Sequence, residues 1–482
     1  MDPFIDKLLN NPFLKIIQTI AKKNKIQIYL VGGFLRDLVL GREKKDFDLD
    51  FTLKKNAIKT ARSVAKKLKA DFVVLDKERG CARVVYNKGG RTFTLDFAQF
   101  RDETLEKDLL RRDFTINTLA MDVNKIINKA KFNQIIINPY NGLKDLKKGI
   151  IRMVSKFSLE EDPLRIVRAF SLAAILNFKI DPKAIDKIKQ LKDKIPTVAY
   201  ERIRDELFKI LELEDSITYL KLMDKYGVLE KIVPHINVMR NVKQGAYHHL
   251  DVWRHSLEAV LQLEKLFKEE EIIVNPDMKS YLEQDVVLNR SKKALMKLGA
   301  LLHDIGKPKA MKREEGRTLF HGHERIGREI TDNIVELLKL STKERDALEK
   351  MIFWHLRPGY LADTSMPTQR AIFRYFRDTA EEGISILLIS LADQRATRGP
   401  LTDPESRRRH EKLIKELIDY YFKKQKEKPM VRLINGNDLI KKLKLKPSPI
   451  FSKILSKVEE AQAEGKIKTK KQALEIAKKI SR

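Results

Sequence analysis

The apolar pattern of this chain changes period once, near residue 145, and that change constrains the fold more than any other feature. Before it, short apolar runs read as strands: 27–31, 47–51, 72–75, 82–86 and 92–97. A helix is expected over 56–69, and Asn87-Lys-Gly-Gly90 reads as a hairpin turn. After residue 145, apolar residues return at three- and four-residue steps, as over 217–226, 251–266, 293–302 and 342–353. Residues 1–23 read as one amphipathic helix, too acidic and polar at the start for a signal peptide. The polar stretch from Asn275-Pro276 to Ser291 reads as a loop, and Arg398-Gly-Pro400, Thr402-Asp-Pro404 and Lys428-Pro429 as breaks. The fold class expected is α+β, an α/β head followed by helices.

Composition narrows the function. At roughly 150 residues per domain, 482 residues suggest about three domains, and 43% hydrophobic residues suffice for real cores. One cysteine, Cys81, excludes an internal disulfide framework and a cysteine-rich zinc module and suits a reducing, cytoplasmic setting. No apolar run approaches the roughly 20 residues that span a bilayer, so no membrane role is expected. A formal charge of +30 calls for a polyanionic partner, nucleic acid or an anionic surface, and the basic residues are spread along the chain.

Leu30-Val-Gly-Gly-Phe-Leu-Arg-Asp37 runs from a strand through two glycines into a helix. Gly32 and Gly33 permit close approach of a phosphate, the helix start offers free N–H groups, and Arg36 adds a cation. Asp46-Phe47-Asp48 follows on a strand, where residues i and i+2 share a face. Two carboxylates on one face repel unless a cation lies between them, and Asp oxygens suit Mg²⁺. Such pairs serve in-line displacement at a triphosphate; a solvent-facing strand of alternating charge is the competing reading. Asp50 lies on the same face, and Asp96 on a later strand is a candidate third carboxylate. In Arg111-Arg112-Asp113-Phe-Thr-Ile-Asn117, the arginines suit a triphosphate and Asp113 a ribose hydroxyl. Asp162 and Arg165 are three apart on a helix, either an ion pair or a reader of a base edge.

The ordered set LVGGFLRDLVLG, KDFDLD, RRDFTINTLAMD, EDPLRIVRAFSLAAILNF and ERIRDELFKIL resembles the class II tRNA nucleotidyltransferases, which include bacterial CCA-adding enzymes and poly(A) polymerases. That resemblance implies a DNA polymerase beta-like nucleotidyltransferase head and addition of C and A from CTP and ATP to the 3′ end of tRNA. It implies Asp46 and Asp48 as catalytic metal ligands for Mg²⁺. It implies nucleotide contacts from Gly32, Gly33, Arg36, Arg111, Arg112, Asp113, Asn117 and Arg168, with Asp162 and Arg165 as the protein template for the base. Glu201-Arg-Ile-Arg204 matches a motif that stabilises the helical neck. Two departures stand out. The family hinge, Asp-Pro followed by glycines, is Asn138-Pro139-Tyr140-Asn141-Gly142 here, and the stretch 97–110 is short. In the family, loss of the longer loop there accompanies enzymes that add only CC.

Seven of the nine histidines fall between His248 and His355. The series His255, His303-Asp304, His323, His355, Asp393 offers imidazole and carboxylate ligands from several helices, a set that suits a divalent transition metal. It resembles the HD phosphohydrolase domain over about 245–400. That implies one metal on His255, His303, Asp304 and Asp393, a second completed by His323 and His355, and metal-assisted hydrolysis of a phosphoester. A degenerate HD fold kept as a helical RNA platform is the alternative. Residues 433–478 resemble the tail of HD-bearing members, with Lys444 and Ser448 where glycines are usual.

The domain reading is a nucleotidyltransferase head over 1–145, an RNA-binding neck and body over 146–240, an HD domain over 241–400 and a helical tail over 401–482. The function expected is CCA addition. Its rivals are CC addition alone, poly(A) synthesis (whose bacterial members typically lack an HD domain) and RNA binding without catalysis.

Overall fold

The computed structural model describes residues 3–42, 48–127, 130–245, 248–273, 275–315, 317–363, 367–427 and 430–481. Backbone contacts divide the chain into two units, 1–206 with 225–231, and 207–224 with 232–482.

The first unit is built on a seven-stranded sheet. Its strands are β1 (Tyr29–Val31), β2 (Asp48–Leu53), β3 (Asp71–Asp76), β4 (Cys81–Lys88), β5 (Arg91–Gln99), β6 (Ala120–Asp122) and β7 (Ile136–Ile137), in the order β3-β4-β5-β2-β1-β6-β7. β2 and β5 run parallel, with Asp50 opposite Asp96, and the other neighbours run antiparallel. The alternation in β2 is the pleat itself: Leu49 and Phe51 are buried, while Asp48 and Asp50 share the other face. β4 and β5 close on Gly89-Gly90, both at positive φ (60° and 72°), which a tight hairpin requires. The helix Ala57–Leu68 has left-handed residues at both ends, Asn56 and Lys69.

The N-terminal segment forms two helices rather than one, Pro3–Leu9 and Pro12–Asn24. Asn11 starts the second by accepting from the N–H groups of Phe13 and Leu14, with Pro12 at the first helical position. At the hinge, a Cβ on Gly142 would lie 2.3 Å from the Thr115 carbonyl oxygen, so the helix Gly142–Lys148 approaches that turn only as glycine.

The second unit is mostly helical. Helix Gly383–Ala396 is buried along almost its whole length and packs on helix Val252–Leu266. An all-round apolar helix belongs at the centre of a bundle. The stretch after Asn275 is not a loop. Asn275 caps a helix, Pro276–Glu283, and a hairpin of Asp285–Val287 with Arg290–Ser291 follows. Lys428-Pro429 lies outside the described residues. Three tail helices, Gly436–Leu443, Ile450–Ala463 and Lys470–Ile480, enclose a small core that includes Leu439, Ile454 and Val458. Lys444 has φ 54°, the left-handed region that favours glycine there. Buried Glu460 receives Arg370, Arg374 and Arg377 from helix Gln369–Thr379. Among the described residues no helix is long and apolar enough to cross a membrane.

Candidate functional site

A cavity of about 1070 Å³ opens in the first unit over the carboxylate face of the sheet. Gly32, Gly33, Asp50, Arg112, Asp113, Asn117, Asp162, Arg165, Arg168 and Arg202 all line it. β1 delivers Gly32 at φ 79°, where a Cβ would lie 3.0 Å from an Asp50 oxygen and 3.5 Å from Arg112 Nη1. The loop is therefore held flat against the sheet. Arg36 lies beneath it, buried, donating to both Asp37 oxygens and to Asn117 Oδ1 at 2.9 Å. It shapes the loop from behind rather than facing the cavity.

Asp46 lies outside the described residues. Asp48 sits at the exposed start of β2 and accepts from the Thr94 hydroxyl. Asp50, two residues on, is sunk among charges. Burial pushes its carboxyl up, Asp96 and Asp48 push the same way, and Arg112 and Arg168 oppose them. Asp96 is not a free third carboxylate, because Arg83 donates to both its oxygens, at 2.8 and 2.7 Å.

The arginine pair divides its work. Arg111, half exposed, pairs with Glu161 at 2.7 Å and lies 3.6 Å from Asp102. Arg112 reaches the cavity, and its Nε is buried without a hydrogen-bond partner. Asp113 is buried, accepting from Arg168 at 3.0 Å, from Asn117 Nδ2 and from the Phe114 N–H at 2.7 Å. Burial raises its pKa, but Arg168 and these hydrogen bonds outweigh that and hold it below the usual carboxylate value.

Asp162 and Arg165 line the same wall but do not pair with each other. Arg165 gives Nη1 to the Ser158 carbonyl (2.8 Å) and Nη2 to the Arg111 carbonyl (2.7 Å), which ties its helix, Leu164–Leu176, to the Arg111-Arg112 backbone. Asp162 instead accepts from Arg202 Nη2 at 2.7 Å. Arg202 belongs to the neck motif Glu201-Arg-Ile-Arg204; forty positions separate it from Asp162, and no local spacing could join them. The short link after β5 is structured. Thr104 caps the helix Leu105–Leu110, and buried Asp108 accepts from the Arg101 N–H at 2.9 Å and lies 3.8 Å from Arg112.

The second unit gathers His255, His303 and Asp393 into one group of potential metal ligands and Asp304, His323 and His355 into another. Asp304 joins them: Oδ2 lies 3.2 Å from His303 Nε2 and 3.6 Å from His255, and Oδ1 lies 3.3 Å from His323 and 3.8 Å from His355. The expected grouping put Asp304 with the first set; the structure places one oxygen toward each. The histidine orientation is built in. His303, His323 and His355 each direct Nδ1 at the carbonyl three residues earlier, at 2.7–2.8 Å, which turns every Nε2 inward. His303 and His355 achieve this just past the ends of helices Lys292–Leu302 and Thr342–Trp354. Fully buried His303 Nε2 and Asp304 Oδ1 make no hydrogen bond of normal geometry, whereas Asp304 Oδ2 faces the Lys307 ammonium. Such orphaned donors and acceptors fit a cation centre. Burial alone would lower His303, but Asp304 raises it to about 10, while burial drives His355 down to about 3. Lys307, one turn after Asp304, approaches Asp304 at 2.6 Å and was not singled out from sequence.

Four family models cover most of the chain: the Poly A polymerase head domain over 28–152, a probable RNA- and SrmB-binding site of polymerase A over 177–239, the HD domain over 252–398 and a putative tRNA nucleotidyltransferase domain 2 over 406–477. An A-adding tRNA nucleotidyltransferase of Deinococcus radiodurans is 30% identical over 92% of this chain and 93% of its own. A CC-adding tRNA nucleotidyltransferase of Synechocystis is 29% identical over 95% of this chain and 94% of its own. A Thermotoga maritima CCA-adding enzyme, solved as a complex with tRNA, has the same fold, with TM-score 0.61, 21% identity and coverage of 100% of this chain and 97% of its own. The head and site define a nucleotidyltransferase, and the chain belongs to the tRNA nucleotidyltransferase family. Its head and HD domains imply dependence on divalent metal.

Proposed function

We propose that this enzyme adds C and A from CTP and ATP to the 3′ end of tRNA without a nucleic-acid template. The observation that carries the reading is the cavity in which Gly32, Arg112, Asp113, Arg168 and Asp162 converge with Asp50 of β2, two residues along the strand from Asp48. Asp46 and Asp48 would hold Mg²⁺, which supplies charge neutralisation at the triphosphate and a lower pKa for the attacking 3′-hydroxyl. The Gly32-Gly33 loop and Arg112 bind the triphosphate, with Arg36 and Asn117 fixing the loop and Asp113. Asp113, held ionised by Arg168, accepts from the ribose. Asp162 accepts from the base edge, Arg165 has for the base only the N–H groups not given to the Ser158 and Arg111 carbonyls, and Arg111 braces the wall through Glu161. The basic surface binds tRNA backbone, which carries affinity but little sequence information. A cytoplasmic enzyme goes with this reading. The domain assignment that goes with this reading is head 1–145, neck and body 146–240, HD domain 241–400 and tail 401–482.

The HD centre is proposed as a second active site, a phosphohydrolase. His255, His303, Asp393, Asp304, His323 and His355 would hold two divalent transition metals, which supply an activated water for phosphoester cleavage. CC addition alone is the second reading for the head. It is favoured by the capped, Asp108-anchored link after β5, which takes the place of a longer loop.

Asp48→Asn tests the head. Nucleotide addition is expected to fall at least about a thousandfold with tRNA binding retained, since one metal-holding charge is lost. Retained addition would overturn the carboxylate assignment.

A further inference from the structure

Among the described residues, the Asp162 carboxylate is held from outside its own loop by the Arg202 side chain. Its Nη2 donates to Oδ2 at 2.7 Å and Nη1 reaches Oδ1 at 3.5 Å, while Oδ1 also accepts from the Leu164 N–H at 3.2 Å. Arg165, the sequence neighbour, has its two terminal nitrogens on backbone carbonyls. The Arg202 guanidinium is 52% exposed and Asp162 28%, and both line the cavity. The pair is thus open to a competing donor.

We propose that Arg202 is a positioning and specificity-determining residue, holding the Asp162 carboxylate as a latch that only an amino-bearing base releases. The inference rests on Asp162 reading the base. Cytosine N4 and adenine N6 are donors, so either exchanges for a guanidinium N–H and leaves the carboxylate satisfied. Uracil and guanine present a carbonyl oxygen at the corresponding position. They would break the ion pair without replacing it and set oxygen against oxygen, which makes the latch a repulsive element against the wrong bases. Without Arg202 the carboxylate is free to turn to water, and that penalty shrinks.

The test uses the full chain and a tRNA primer, with kcat/KM measured separately for CTP, ATP, UTP and GTP. Arg202→Ala is expected to reduce discrimination of CTP over UTP about tenfold, the worth of one charge-assisted hydrogen bond. Arg202→Lys, which keeps the charge but loses the fork, should fall between wild type and alanine. In an Asp162→Asn background, adding Arg202→Ala should change the ratio no further. Relaxed selectivity in Asp162→Asn with an unchanged ratio in Arg202→Ala would overturn the latch and leave the base-reading role standing. Additive losses in the double variant would also overturn it, because Arg202 would then act independently of Asp162. An unchanged ratio in Asp162→Asn would overturn the base-reading role and the latch together.

Discussion

Replacing Glu460 by Gln removes the one carboxylate that faces three arginines of helix Gln369–Thr379 and joins that helix to the tail. Arg374, helped by Arg370 and Arg377, holds the Glu460 carboxyl at about 2 against the opposing effect of burial. A fall from the ordinary 4.5 to about 2 corresponds to roughly 3 kcal/mol. The carboxylate itself is 4% exposed, but the arginines are 31–37% exposed, and solvent screening brings the contribution to about 2 kcal/mol. For a unit of this size that is a loss of roughly 3–4 °C in Tm. The sign follows from the depressed folded pKa. The stabilisation is complete above the unfolded value near 4.5 and is lost as pH falls through about 2, so about a quarter has gone by pH 4. Differential scanning calorimetry of wild type and Glu460→Gln at pH 7.5 and pH 4 reads both quantities. A Tm difference below about 1 °C at pH 7.5, or one larger at pH 4 than at pH 7.5, would refute the reasoning.

Gly142→Ala places a Cβ 2.3 Å from the Thr115 carbonyl oxygen. It should destabilise the first unit by about 1–3 kcal/mol in a denaturant titration, with the midpoint lowered and the slope unchanged. Asp304→Asn keeps the side chain's shape but removes the charge shared by the two ligand groups. Bound transition metal per chain, counted by mass spectrometry after dialysis, should fall together with any phosphoesterase activity, while nucleotide addition is spared.

Much of this molecule is legible in its sequence because the informative patterns are local. The period-two run of β2 states which residues share a face, and Leu49 and Phe51 are buried opposite Asp48 and Asp50. The histidine series is legible through residue type: imidazoles are scarce here, and the six side chains chosen from five separated stretches come together. What the sequence hides is long-range or too short to show a period. The partnership of Asp162 with Arg202 spans forty positions. Arg83 claims Asp96 across two strands, a contact that only the β4–β5 register creates. The helix and hairpin after Asn275 have elements of two to eight residues, and a polar composition masks them. The N-terminal helix divides at Asn11-Pro12, a cap-and-proline pair whose apolar spacing runs on regardless. Arg36 shows the limit of motif reading, since its position follows the glycine loop but its guanidinium is committed to Asp37 and Asn117.

The most direct test of the proposed chemistry is primer extension at single-nucleotide resolution. Three tRNA transcripts, ending before CCA, after C and after CC, would be incubated with CTP, ATP or both in the presence of Mg²⁺. Extension of all three to CCA, with no incorporation of U or G, is the result predicted. A halt at CC, with no A added to the CC-ended transcript, would contradict complete CCA addition and assign the enzyme to CC synthesis.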